Sequence, residues 1–218
     1  MRRFRFIAIA LGVAAACLAG CNVFGTALYF VHGPEKTEPL YTLDPDRPTV
    51  VFIDDRANIL PRRTLRQTIA DTAEAELLKD GAVRSAVASR AAMGAATADK
   101  ADDPMRIVDI GKAVQAEVVI YAVIDQFAVS PDGQSYAPAI AMRVKVIDVT
   151  NDKRIWPPED EKRGILIVSK PEVQQGFTPQ NLSEATQSEN AAARRAGLAL
   201  AQLFYQHEAR ATVYQVSR

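Results

Sequence analysis

Asp54 and Asp55 are the side chains best placed for chemistry, because they close the apolar run Thr49-Val50-Val51-Phe52-Ile53. Adjacent carboxylates at the carboxyl end of a buried strand can hold Mg²⁺, as phosphoacceptor and phosphohydrolase sites do. Such sites need partners, yet position 56 is Arg, position 57 is Ala, and no strand-end Lys joins them. The plainer expectation is a solvated strand exit in which Arg56 neutralises one acid. A metal-dependent hydrolase using Asp54 and Asp55 is kept as an alternative. His32 and His207 lie in no motif, and two histidines supply no Ser-His-Asp arrangement. A phosphate-binding Gly loop, a nucleophile elbow and a paired-His metal helix are all missing. The remaining candidate is Cys21, a thiol preceded by Leu18-Ala19-Gly20. Small residues before it suit a peptidase cleft, and its thiolate is a nucleophile that a lipid transferase can use.

The residues leading to Cys21 have the layout of a secretory signal. Arg2, Arg3 and Arg5 form a cationic start, and Phe6 to Ala19 is an uncharged apolar run of fourteen residues. A bilayer span needs roughly 20 apolar residues, so this run has the length of a signal-peptide core. Leu18-Ala19-Gly20-Cys21 resembles the lipobox of bacterial lipoproteins. The resemblance implies that Cys21 is linked to diacylglycerol and begins the mature chain, and Asn22 after it resembles an outer-membrane address. An uncleaved anchor over Phe6 to Val31 is the alternative. Cys17 follows Ala14-Ala15-Ala16 without the Leu and reads as part of the discarded segment. With Cys21 acylated, no thiol pair remains for an intrachain disulfide.

The elements behind these residues read as one α/β domain. Val23 to Arg47 holds scattered charges with Pro34, Pro39 and Pro45, the composition of a tether. After the first strand, Thr64-Leu65-Arg66-Gln67 has the form of a capping box, and Leu65, Ile69, Ala73 and Leu77 draw one apolar stripe. A helix is expected from Thr64 to Asp80, with Gly81 as its stop. Ala82 to Val87 is a weak strand, and Ala88 to Asp103 a loose helix or a loop. A short helix follows Pro104, with Ile107, Ile110, Gly111 and Val114 on one face. Glu117 to Phe127 is apolar on both faces through Ile124, as a central strand is. Pro131-Asp132-Gly133-Gln134 turns the chain. Ile140, Met142, Val144 and Val146 then alternate with Arg143 and Lys145, so this strand has a core face and a wet one, with Lys145 exposed. Short strands are expected at Arg154-Ile155-Trp156 and at Gly164 to Val168. Trp156 and Tyr121 are read as packing residues. Pro171 to Leu182 is a loop. Ser183 caps a last helix that runs to His207, with Arg194-Arg195 on its solvated back. Residues 1–20 are thus signal, 21–48 anchor and tether, 49–207 the domain and 208–218 a tail. The fold class is a two-layer mixed sheet, with an antiparallel meander, packed against helices.

Composition limits the function. Lys+Arg and Asp+Glu are both 26 in 218 residues, so the chain has no basic excess for gripping nucleic acid. Two Cys and two His are too few for a zinc finger or a disulfide scaffold. No cofactor or metal is expected.

Two stretches carry a family pattern. Ile110-Gly111-Lys112-Ala113-Val114-Gln115-Ala116-Glu117-Val118-Val119-Ile120-Tyr121 is similar to a helix-then-strand element, and Val144 to Trp156 resembles a hairpin with Asp148 before its turn. Both resemble the envelope group containing the curli secretion lipoprotein CsgG, the penicillin-binding-protein activator LpoB and the amino-terminal domain of TolB. In this chain Asn151-Asp152 replaces the group's Thr-Gly turn. The resemblance implies a small α/β domain for protein contact in the periplasm, without catalytic residues. The expected function is therefore a non-enzymatic adaptor or assembly factor, lipid-anchored on the periplasmic face of the outer membrane. It would meet lipid through Cys21 and bind an envelope protein, with self-association left open. A secretion-channel subunit is the other alternative, although 93–103 and 171–182 are short and polar for membrane hairpins.

Overall fold

The computed structural model describes residues 35–97, 105–131, 133–171 and 177–217. The chain is mixed α/β, with one mixed sheet packed against helices. The sheet strands are β1 (Thr49–Asp54), β2 (Ala86–Val87), β3 (Val118–Ala128), β4 (Ala139–Asp148), β5 (Lys153–Trp156), β6 (Ile165–Ser169) and β7 (Tyr214–Ser217). The helices are α1 (Thr64–Lys79), α2 (Ser89–Thr97), α3 (Ile107–Ala113) and α4 (Leu182–Ala201). The spatial order is β2-β1-β3-β4-β6-β7, and β5 shares the far edge of β4 with β6. β1 is parallel to both neighbours, and every later pairing is antiparallel.

Hydrophobic pattern explains this division. Every residue of β1 is buried, so both faces of the sheet are covered where the chain crosses over through helices. Beyond Met142, β4 alternates: Val144 and Val146 are buried, while Arg143, Lys145 and Ile147 are half-buried. The expected wet face is therefore real, but Lys145 is not the exposed residue that simple alternation implies. The backbone at Gly164, held at a φ of +87°, lies against its stem. Burial, with Arg154 nearby, lowers the Lys145 ammonium from its ordinary value.

Several boundaries differ from the sequence reading for tertiary reasons. Thr64 does not cap α1, because the helix is entered from Arg63 with no side-chain cap. The preceding Arg62 is held on α4 by Glu189 and the Thr186 carbonyl, so a distant contact fixes the entry. Gln67 is used elsewhere, donating to Asp71 and Ser89. The cap of α4 is Asn181 rather than Ser183. Its side chain accepts from the Glu184 amide at 3.0 Å, while Glu184 reaches back to the Gln180 amide at 2.8 Å. This resembles a capping box set two residues early, with the return bond made to the residue before the cap. The helix ends at Ala201, so His207 lies beyond it.

The domain is also longer than 49–207. Contacts divide the chain into a main unit, 38–207 with 211–218, and a second unit whose described residues are 35–37 and 208–210. In the second unit the Ala209 amide donates to the Glu35 carbonyl at 2.7 Å. In the main unit, residues 38–48 are part of the fold rather than free tether. The Leu40 amide donates to the Leu203 carbonyl, and Leu43 is buried. Tyr214–Ser217, read as tail, is the edge strand on β6.

Candidate functional site

The Asp54-Asp55 pair lies where β1 ends, and the structure buries both, leaving 5% and 6% of their surfaces exposed. The expectation of a solvated exit is corrected by what these carboxylates do. Asp54 accepts from the Arg56 amide at 3.1 Å on Oδ1 and from the Tyr121 hydroxyl at 2.7 Å on Oδ2. Arg56 also approaches Oδ2 at 3.4 Å, so it neutralises one acid as expected. Asp55 accepts from the Ile59 amide at 2.7 Å and the Leu60 amide at 3.2 Å. Three of the four oxygens therefore build the loop after β1, which also holds Asn58 at a φ of 52°, and the fourth ties that strand end to Tyr121 on β3. Tyr121 stacks on Phe52 with ring centroids 6.0 Å apart. Burial, helped by the Asp54 hydrogen bond, raises its hydroxyl pKa well above the ordinary value, so Tyr121 serves as a donor to Asp54.

A second polar cluster joins the segment before β1 to the β4–β5 turn. Arg47 forks onto Asp148 at 2.9 and 3.0 Å and also binds Glu117. Asp148 accepts in addition from the backbone and side chain of Asn151, at 3.0 and 2.9 Å. Arg47 above all, with Asn151, holds the Asp148 carboxyl well below the usual carboxylate range. Asp152 occupies the left-handed position of this turn, at a φ of 49°, and pairs with Arg106. The hairpin residues that carry the family pattern thus form a clasp.

The sign of its pH dependence follows. A carboxylate with a depressed folded pKa stabilises the fold above its unfolded value of about 3.9, and that contribution is lost as pH falls through the folded pKa. Arg47→Ala should cost about 1–3 kcal/mol at neutral pH, since it leaves a mostly buried carboxylate without its cation. It should also flatten the loss of stability below about pH 4. Urea unfolding of both proteins between pH 7 and 2 checks this, and parallel acid limbs would remove the clasp as their source.

The other residues singled out in the sequence are dispersed. Trp156 is 8% exposed and packs edge-on to Phe204 at 6.0 Å, with Tyr41 at 5.9 Å, so its packing role holds. His207 is bonded through Nδ1 to the Tyr205 carbonyl and through Nε2 to the Thr212 hydroxyl. Cys17, Cys21, Asn22, His32, Pro104 and Asp132 lie outside the described residues. No group of three or more metal-ligating side chains occurs among the described residues, and no helix there is long and apolar enough to cross a membrane.

What the sequence reading missed is concavity. Arg194, read with Arg195 as the solvated back of α4, is exposed and Arg195 is half-buried, and both line hollows over that helix. One hollow also takes in Tyr136 and Phe177, and the other Lys170, Leu198 and Val213. Ala191 and Arg195 belong to both. Helical spacing places Ala191, Arg194, Arg195 and Leu198 along one stripe, but the loop and strand that wall it in are remote in sequence.

No protein-family model matches the chain, and no curated protein matches it. Among solved structures, a point variant of the PelC dodecamer from Paraburkholderia phytofirmans is similar at 9% identity, covering 78% of this chain and 97% of PelC, with a TM-score of 0.41. The dodecamer in another crystal form is similar at 10% identity over 78% and 96%, with a TM-score of 0.40. The hypothetical protein CT253 from Chlamydia trachomatis is similar at 16% identity over 70% and 88%, with a TM-score of 0.39. These are low likenesses.

Proposed function

We propose that this chain is a lipid-anchored adaptor or assembly factor of the bacterial cell envelope, acting by protein contact and without catalysis of its own. Cys21 would carry the lipid and hold the domain at the periplasmic face of the outer membrane. The observation that carries the reading is the use of Asp54 and Asp55. The best candidate acids spend all four oxygens on loop amides and Tyr121, which leaves them a structural task. The signal-like start and the lipobox resemblance support the anchor. The resemblance to the CsgG, LpoB and TolB group rests on sequence motifs alone and supports the periplasmic contact role.

Cys21→Ser tests the anchor. Wild-type protein should take up an alkyne-tagged fatty acid and sediment with membranes, whereas Cys21→Ser should do neither. Tethering raises the local concentration of a partner, so the unanchored form should also lose most of its cellular function. Asp54→Asn with Asp55→Asn removes both charges and turns one accepting oxygen of each into a donor, so it should loosen the loop after β1 and lower stability, but a double variant that still folds should keep its function. A well-folded double variant that loses all function, while Cys21→Ser keeps it, would turn the reading toward a metal-dependent enzyme.

A further inference from the structure

The two hollows over α4 meet at Ala191 and Arg195, so together they form one groove along the helix. Its walls are Lys170 and Val213 on one stretch and Tyr136 with Phe177 on the other. The groove lies wholly within the main unit.

Its charges are unequal in their commitments. Glu184 gives both oxygens to the helix cap, one to the Gln180 amide and one to the Asn181 side chain. Glu76, near the other end, pairs with Lys79 at 2.8 Å. Lys170 donates to a neutral acceptor, the Thr212 carbonyl, at 2.8 Å, and Arg194 is exposed on the groove side of α4. Among the described residues, Lys170 and Arg194 thus face a hollow whose lining acids, Glu76 and Glu184, are engaged elsewhere, and Arg195 also lines it while donating to the Lys170 carbonyl at 3.0 Å. Between and beside them, Ala191, Leu198 and Val213 supply apolar floor.

Charge complementarity selects the occupant. We infer that the groove over α4 docks an acidic segment of a partner protein, with carboxylates on Lys170 and Arg194 and apolar side chains on Leu198 and Val213. This deepens the adaptor reading and rests on it. A nucleic acid would want a broader basic face, which a chain of balanced charge does not supply. Apolar anchors in a pocket with a charged rim are the general pattern of peptide docking.

The test uses the full-length chain in a neutral detergent and two fluorescein-labelled twelve-residue peptides, one of Glu and Leu and one of Lys and Leu. Anisotropy should show the acidic peptide binding, more weakly as salt rises, and the basic peptide not binding. Lys170→Glu with Arg194→Glu changes two exposed side chains and should keep the far-ultraviolet dichroism. That variant should bind the acidic peptide at least about tenfold more weakly and gain affinity for the basic one. Equal affinities in both proteins, or no acidic-peptide binding to the wild type, would overturn the inference. So would preferential binding to anionic vesicles, or a concentration-dependent dimer that the reversal abolishes, since the occupant would then be lipid or a second copy. In-cell cross-linking separates the two readings. Cross-links to an envelope protein that survive the reversal leave the adaptor standing and the groove refuted, whereas the absence of any cross-link from the wild type removes the adaptor itself.

Discussion

Val146→Asp is expected to abolish the folded state. Val146 is completely buried in β4, in register with Ile120 on one side and Trp156 on the other. A carboxylate there would lose its water without gaining a partner, at a cost of several kcal/mol. Total stability of such domains is only about 5–15 kcal/mol, and the same residue joins β3, β4 and β5. The neighbouring position behaves otherwise. Lys145 is half-buried, and burial and Arg154 both disfavour its charge. Lys145→Glu loses some stem packing but exchanges a repulsion for an attraction, so its net effect should stay within about 0.5 kcal/mol. Near-ultraviolet dichroism and proteolysis of the two variants make the comparison. Equal damage from both, or a cooperatively folded Val146→Asp protein, would mean the faces of β4 are assigned wrongly.

Such contrasts show which parts of the molecule its sequence can speak for. Thr49 to Ile53 is a continuous apolar run because both faces of its strand are buried, Val118 to Ile124 is apolar throughout and buried or half-buried, and runs of that kind need no distant information. The α1 stripe, Leu65, Ile69, Ala73 and Leu77, is buried throughout for the same local reason. Arg47 is different. Nothing in its surroundings announces that it will fork onto Asp148, a hundred residues away, and turn a tether into part of the fold. Tyr214–Ser217 is too short to carry a period, and only β6 beside it makes it a strand. The Asp54-Asp55 pair was legible as a cluster of acids, but its task was not. Its partners are loop amides, which the sequence does not distinguish from any others, and the hydroxyl of Tyr121 on another strand. The groove over α4 was hidden in the same way, since a helix stripe reads as solvated until the elements beside it are known.

Gly197→Ala should destabilise the domain by about 2–3 kcal/mol, although the same change in an exposed helix would help by about 1 kcal/mol. A β-carbon on Gly197 would lie 2.4 Å from the Ile69 carbonyl oxygen, 2.7 Å from the Thr72 β-carbon and 3.2 Å from the Ala73 amide nitrogen. Two of these atoms are backbone of α1, so no rotamer change can make room and the two helices must separate. That movement would loosen every contact along the α1–α4 seam. Ala193, Ala196 and Gly197 on α4, and Ala70 and Ala73 on α1, are all buried small residues, which lets the helices approach closely. Gly94 in α2 is the control, because a β-carbon there meets no atom within 4 Å. Gly94→Ala should therefore gain about 0.5–1 kcal/mol by restricting the unfolded chain. Urea midpoints of the two variants should move in opposite directions from wild type. A Gly197→Ala protein as stable as its parent would mean that the seam is looser than these distances require. The small residues of α4 would then owe their presence to something other than contact with α1.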